Sequence, residues 1–319
     1  MKIVVTPPFT EEQKGWIKEA AGTENELVFC DPQDVTEEMI KDTEVILGNL
    51  ADLTQLSQAK KLRWIQLNSA GTQGYCEPGV LPKGAVLTNA TGAYGFAISE
   101  HMVGCLFMLR KKLHLYYANQ LQHEWKNEGS VCAVEGSNVL VIGLGDIGTS
   151  FAKRMKALGC YVIGVKRRIG AKPEAVDELY GMEALNSLLP RADVVAMSLP
   201  ENPSTYHVLS RERISLLKEN AMVLNVGRGT AIVTDALSEA LYAGKIAGAA
   251  LDVTDPEPLP ASHPLWDAPG AIITPHISGG YALSETLLRI ARICVSNLKR
   301  YRDGEKLGNI VDMETGYRR

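Results

Sequence analysis

Short runs of β-branched and apolar residues alternate, over the first ninety positions, with stretches whose apolar residues recur at helical spacing. Lys2 to Thr6 is such a run; it ends on Pro7-Pro8, and Thr10-x-x-Gln13 then has the capping-box pattern that opens a helix. Further strands are predicted at Leu27 to Phe29, Val45 to Leu47, around Leu62 to Leu67 and at Val86 to Asn89, with a helix over Thr36 to Lys41. Apolar strands separated by amphipathic helices predict a mostly parallel sheet covered on both faces.

Phe96 to Tyr116 lacks proline and carries Ile98, Met102, Leu106, Leu109 and Leu113 at helical spacing, which predicts one long helix bridging two domains. After a polar loop the alternation returns more strongly, with strands at Val139 to Ile142, Tyr161 to Val165, Val194 to Met197, Val223 to Val226, Ala249 to Asp252 and Ile272 to Thr274. These six strands, with helices between them, predict a complete doubly wound domain. The helical pattern from Ser284 to Tyr301 has no further sheet to pack on, so it is expected to return to the first domain. That domain is then discontinuous, residues 1–97 with 285–319, and the second spans residues 98–284. No low-complexity segment or short-period repeat interrupts the pattern.

Composition agrees with two cores of moderate size: 319 residues, 45% hydrophobic and 22% charged. A formal net charge of -4 argues against a nucleic-acid or membrane-surface partner, which would call for a basic stripe. The start, MKIVVTPPFT, lacks the marks of a signal peptide and no segment approaches a membrane span, so a cytoplasmic location is expected. The six cysteines form no C-x-x-C pair or regular spacing, and neither a metal site nor a disulfide framework is predicted.

Gly143-Leu144-Gly145-Asp146-Ile147-Gly148 directly follows the strand Val139 to Ile142 and opens the helical pattern Ser150 to Leu158, the context a dinucleotide fingerprint requires. Gly143 permits the tight turn, Gly145 lets the backbone approach a pyrophosphate, and Gly148 lets helix and strand pack closely. An acidic residue ending the next strand would bond the ribose 2'-hydroxyl of NAD; here that strand ends in Lys166-Arg167-Arg168. Three cations at this place favour the 2'-phosphate of NADP(H), with NAD still possible.

Beyond the fingerprint stand Ser198-Leu199-Pro200, Asn225-Val226-Gly227-Arg228-Gly229, Leu251-Asp252-Val253 leading to Glu257-Pro258-Leu259-Pro260, and Thr274-Pro275-His276-Ile277-Ser278-Gly279. In order and spacing these motifs resemble the D-2-hydroxyacid dehydrogenase family over nearly the whole chain. The resemblance implies an α/β fold of two doubly wound parallel-sheet domains, a flavodoxin-like substrate domain and a Rossmann domain, with a cleft between them and a homodimer built through the nucleotide domain. It implies cofactor contacts from Asp146, Ile147, Leu199, Pro200, Thr205, Val226, Gly227 and Gly279, and a contact of Asp252 with the nicotinamide carboxamide.

Hydride transfer to a ketone needs a cation to hold the carboxylate and polarise the carbonyl, a proton donor, and a nearby nicotinamide. Arg228 lies in a glycine-flanked turn past a buried strand, where its fork can bind a carboxylate twice. His276, at another strand end, would give its proton to oxygen as hydride reaches carbon. Glu257, in the stiff loop Pro256 to Pro260, is expected to hold the imidazole and favour its charged form, with Asp255 as the neighbouring alternative. Asn68-Ser69-Ala70-Gly71-Thr72 resembles the family loop whose backbone binds the substrate carboxylate, which makes Ala70 and Gly71 substrate residues; Asn49 and Leu50 resemble a second wall. Two positions depart from the family pattern: Lys166 for an acidic residue and Thr254 for an aromatic one.

The expected activity is therefore reduction of a small 2-oxoacid, such as glyoxylate or hydroxypyruvate, with NADPH. One alternative is NAD-dependent oxidation of a D-2-hydroxyacid such as 3-phosphoglycerate, but the loops Gly48 to Asp52 and Asn68 to Gly74 lack the cations a phosphate needs. Another, a dinucleotide-sensing scaffold, would need a peptide groove or disordered tail. The sequence stops at Gly316-Tyr317-Arg318-Arg319, so the regulatory domain of some phosphoglycerate-oxidising relatives is not expected.

Overall fold

The structure, a computed structural model, describes residues 1–72 and 74–316; Gln73 and the last three residues, Tyr317 to Arg319, lie outside the described residues. The chain divides into two compact units, residues 1–94 with the chain from Tyr281 onward, and Gly95–Gly280.

The first unit begins with β1 (Lys2–Val5), α1 (Glu11–Ala21), β2 (Glu26–Phe29), α2 (Glu37–Lys41), β3 (Val45–Leu47), β4 (Trp64–Gln66) and β5 (Val86–Thr88). Its sheet has the order β2-β1-β3-β4-β5, every pair parallel. Thr10 caps α1 with both bonds of the capping box in place.

The second unit comprises α3 (Gly95–Arg110), α4 (Leu113–Leu121), β6 (Asn138–Ile142), α5 (Asp146–Ala157), β7 (Tyr161–Val165), β8 (Glu178–Tyr180), α6 (Leu185–Leu188), β9 (Val194–Met197), α7 (Arg211–Ser215), β10 (Met222–Asn225), α8 (Thr234–Tyr242), β11 (Gly248–Leu251) and β12 (Ala271–Ile273). Its all-parallel sheet runs β12-β11-β10-β9-β6-β7-β8. The order reverses at β6, which leaves the crevice beside its C-terminal end where ligands of open α/β sheets bind. Strand residues Leu140, Ile142, Ile163, Val195, Met197, Val223 and Leu251 form the centre of this core.

The chain then returns to the first unit as α9 (Ser284–Arg302), where it packs against α1. Leu287, Ile290, Ala291, Cys294 and Leu298 are buried at helical spacing, and the ring of Trp64 stacks on Tyr301. Ile310 then bridges antiparallel to Thr88 at the edge of β5.

Two predicted features differ. The single helix over Phe96 to Tyr116 is two helices, because Lys112 adopts a left-handed φ of 54° and its amide closes on the Leu109 carbonyl. Leu113, placed on the apolar stripe by its spacing, is 52% exposed, and α3 packs within its own unit against α5, β10 and β11. The second sheet also has a seventh strand, β8, which among the described residues pairs only with β7, at the sheet edge.

Candidate active site

The turn after β6 explains two of its three glycines without any ligand. Gly143 has φ 99°, and a Cβ there would sit 3.0 Å from the Ser198 carbonyl oxygen. A Cβ on Gly148 would lie 1.9 Å from the Gly143 carbonyl oxygen, so helix and strand can approach only without one. At Gly145, by contrast, a Cβ would meet nothing within 4 Å. This open face is a cradle, and it lies at the N-cap of α5, a glycine that makes no side-chain cap bond. The turn thus fits a pyrophosphate.

Around it, Ser198 Oγ donates to the Gly143 carbonyl, and a Cβ on Gly227 would come within 2.4 Å of the Leu199 carbonyl oxygen. The turns carrying Gly143, Leu199-Pro200 and Val226-Gly227 therefore pack directly on one another. Asp146 accepts the Gly95 amide at 2.8 Å and so anchors the start of α3. Thr205 is buried, and its hydroxyl bonds the Pro200 carbonyl at 2.7 Å, clasping the loop after β9. The Lys166 amide bonds the Tyr180 carbonyl on β8; Arg167 and Arg168 are exposed beyond the end of β7.

Arg228, Glu257 and His276 follow the C-terminal ends of β10, β11 and β12, three neighbouring strands. Asn225 shapes the first turn, its amide donating to the Arg228 carbonyl and its oxygen accepting from Gly227 N. A Cβ on Gly229 would lie 1.9 Å from the Thr254 carbonyl oxygen, so this turn rests on the backbone that leads to Glu257. Arg228 itself is half-buried, its Nη1 donating to the Gly227 carbonyl.

His276 Nδ1 lies 2.5 Å from Glu257 Oε1, and both side chains remain partly open to solvent. The carboxylate that meets the imidazole is therefore that of Glu257; the Asp255 carbonyl instead accepts from Thr234 Oγ1. With Nδ1 so engaged, Nε2 is the ring nitrogen left for proton exchange.

Asp252 has a different occupation from the carboxamide contact expected for it. It is 2% exposed, and its carboxylate accepts from Thr274 Oγ1 at 2.6 Å, from Ile277 N and Ser278 N at 3.0 Å each, and from Ser278 Oγ. Its carbonyl accepts from His276 N at 2.9 Å. These bonds take up the acceptor capacity of a carboxylate, so Asp252 acts here by shaping the loop that carries His276. Gly279 lies at the end of that loop. The sequence motif contained Thr274 and Ser278 but gave no sign of this use. Among the described residues, no group of three His, Cys, Asp or Glu side chains is placed to hold a metal ion.

In the first unit, the loops after β1, β2, β3 and β4 line a cleft of about 360 Å³ whose walls include Thr6, Pro8, Asp31, Leu50, Asn68 and Tyr281. It lies where strand order reverses between β1 and β3, the expected ligand position for this topology. Asn49 and Asn68 bind each other's backbone amides, at 2.6 and 3.1 Å, and Leu50 N donates to the buried Tyr75 hydroxyl, whose pKa burial pushes up to about 12. The carbonyls of Ala70 and Gly71 accept from Asn89 Nδ2 and Ser69 Oγ, which fixes the Asn68 to Thr72 loop. Tyr281, which sequence reasoning missed, bonds Asn68 through its hydroxyl. Neither lysine nor arginine is among the described residues lining this cleft.

A family model described as the D-isomer specific 2-hydroxyacid dehydrogenase NAD binding domain matches residues 103–278. The chain is 32% identical to a D-3-phosphoglycerate dehydrogenase of Methanocaldococcus jannaschii, over 98% of this chain and 60% of that protein. It is 30% identical to a glyoxylate reductase of Thermofilum pendens, over 86% of this chain and 83% of that protein. A solved structure of a D-isomer specific 2-hydroxyacid dehydrogenase family protein from Aeromonas salmonicida superposes with a TM-score of 0.85 at 32% identity, covering 98% of this chain and 99% of that one.

Proposed function

Because this chain belongs to the D-isomer specific 2-hydroxyacid dehydrogenase family, and so is an NAD(P)-dependent oxidoreductase of 2-hydroxyacids, we propose that it reduces small unphosphorylated 2-oxoacids with NADPH. The observation that carries this reading is the 2.5 Å contact between His276 Nδ1 and Glu257 Oε1 at the strand ends that also present Arg228.

A nicotinamide held here would supply or take up the hydride at the substrate C2 carbon. Arg228 holds the substrate carboxylate and polarises the C2 carbonyl with its planar fork. His276 delivers a proton from Nε2 to the C2 oxygen in the reducing direction, and takes it back in the other. Glu257 fixes the ring through Nδ1 and stabilises positive charge on it. In the first unit, Leu50, Ala70 and Gly71 contact the substrate, the last two through their backbone.

For the cofactor, Gly143, Gly145, Gly148 and the backbone N–H groups of Asp146 and Ile147 receive the pyrophosphate. Lys166, Arg167 and Arg168 receive the 2'-phosphate. Leu199, Pro200, Thr205, Val226, Gly227 and Gly279 line the rest, Thr205 by shaping its loop.

A second reading, NAD-dependent oxidation of phosphoglycerate, draws on the Methanocaldococcus relative. The cation-free lining of the first-unit cleft opposes it, since a phosphate dianion there would have no positive partner. Among the described residues no helix is long and apolar enough to cross a membrane, and we assign the protein to the cytoplasm. We also assign a homodimer joined through α4: Leu113, Tyr117 and Leu121 recur on one helix face, each more than half exposed, and Trp125 follows them fully exposed.

The test is absorbance at the reduced-nicotinamide band, with NADPH and NADH compared against glyoxylate, hydroxypyruvate, pyruvate and 3-phosphohydroxypyruvate. Faster NADPH consumption with an unphosphorylated acid is expected. Faster turnover of the phosphorylated acid with NADH would replace this reading by the second.

A further inference from the structure

We propose that His101, on α3, is a positioning residue for the catalytic loop, acting on His276 through Thr274 and Asp252. The proposal rests on His276 being the proton donor, and every group in it belongs to the second unit.

His276 stands at φ 52°, a left-handed conformation that a non-glycine residue keeps only where its surroundings impose it. What holds it is bonding within the loop: the His276 amide is shared between the carbonyls of Asp252 and Thr274, and the amides of Ile277 and Ser278 donate to the Asp252 carboxylate. That carboxylate is oriented from both sides by hydroxyls, Thr274 Oγ1 at 2.6 Å from Oδ1 and Ser278 Oγ on Oδ2. A carboxylate can only accept, so the single hydroxyl hydrogen of Thr274 is spent on Asp252.

Thr274 Oγ1 also lies 3.2 Å from His101 Nε2. With its hydrogen committed, the hydroxyl can only accept from that nitrogen, so His101 Nε2 carries a hydrogen and donates it. Cys105 Sγ, one turn along α3, lies 3.5 Å from the same nitrogen, where it is a weak second acceptor. The bonds therefore run in one direction, from imidazole to hydroxyl to buried carboxylate. At its N-terminus α3 is held by Asp146 of the dinucleotide turn, so the helix that supplies His101 is itself fixed at the cofactor end.

Four variants test this: His101→Leu, His101→Gln, Thr274→Val and the His101→Leu/Thr274→Val pair. His101→Leu keeps bulk and loses the donor; His101→Gln restores an N–H donor at similar reach. The expected loss in kcat for His101→Leu is about tenfold, the scale of one hydrogen bond withdrawn from a part-buried network, with KM for NADPH unchanged. His101→Gln should recover most of it, and the double variant should lose no more than Thr274→Val alone. The NMR signal of the His276 Nδ1 proton supplies a readout that needs no turnover: it should shift in His101→Leu and return in His101→Gln. Additive losses, a glutamine variant as impaired as the leucine one, or an unmoved His276 signal would overturn the proposal. An unsubstituted enzyme with no turnover, but whose His276 signal still follows residue 101, would instead overturn the assignment of His276 as proton donor and leave the linkage standing.

Discussion

The imidazole of His276 is bonded at 2.5 Å to the carboxylate of Glu257, while the backbone of the same histidine is bonded at 2.9 Å to the carbonyl of Asp252. Side chain and main chain are thus oriented by two acidic residues with separate tasks. Glu257 is partly open to solvent and faces the ring; Asp252 is buried and faces the loop. Loss of either should impair the same reaction in different ways.

His276→Ala should lower kcat by about 10²–10⁴-fold, the usual contribution of a general acid. Glu257→Gln keeps an acceptor for Nδ1 but removes the negative charge, so its loss should be smaller than that of Glu257→Ala. Arg228→Lys should chiefly raise KM for the 2-oxoacid, because a single ammonium cannot reproduce two parallel bonds. Steady-state NADPH oxidation across the four variants checks this ranking.

Alanine at the fingerprint glycines should separate folding from cofactor binding. Gly148→Ala places a Cβ 1.9 Å from the Gly143 carbonyl oxygen and should lower Tm. Gly145→Ala meets nothing in the protein and should keep Tm while weakening NADPH binding, as measured by nucleotide fluorescence titration. Unchanged affinity in Gly145→Ala would remove the pyrophosphate from this cradle.

Arg168→Ala should weaken NADPH binding by about tenfold or more, the scale of one charge-assisted bond. NADH affinity should change little, since NADH has no 2'-phosphate. Equal effects on the two cofactors in isothermal titration would move the 2'-phosphate away from the Lys166 to Arg168 turn.

Glu178 anchors the edge strand β8, and the Arg191 guanidinium, with bonds from Tyr180 and Tyr161, lowers its pKa from the ordinary 4.5 to about 2. A carboxyl lowered on folding stabilises the protein above its unfolded pKa, and that contribution is lost as pH falls through the folded one. Arg191→Gln should therefore unfold more readily than the parent at neutral pH. The gap should close between about pH 4.5 and 2, and it should be small in high salt because the pair is partly exposed. Urea unfolding across this range measures it.

Replacing Leu121 and Trp125 together by glutamate should convert a dimer to a monomer in sedimentation velocity, with the far-UV spectrum retained. Both side chains are exposed, so the chain itself loses little packing. A parent protein that sediments as a monomer would remove α4 as an interface.

The sequence by itself determined the alternation of strands and helices, because strands buried on both faces read as uninterrupted apolar runs such as Val139 to Ile142. It also determined the dinucleotide turn, where glycine spacing is dictated by backbone contact distances, and the three strand-end positions of Arg228, Glu257 and His276. The break at Lys112 stayed hidden because apolar periodicity continues through it while a single φ changes sign. Strand β8 stayed hidden because Glu178–Tyr180 is a short, mixed edge strand, defined by its pairing with β7 rather than by a pattern of its own. Only the tertiary structure decided which acidic residue meets the imidazole, and that Asp252 is consumed by its own loop. Both depend on where side chains distant along the chain come to lie, which hydrogen-bond geometry in the folded protein sets and local sequence does not.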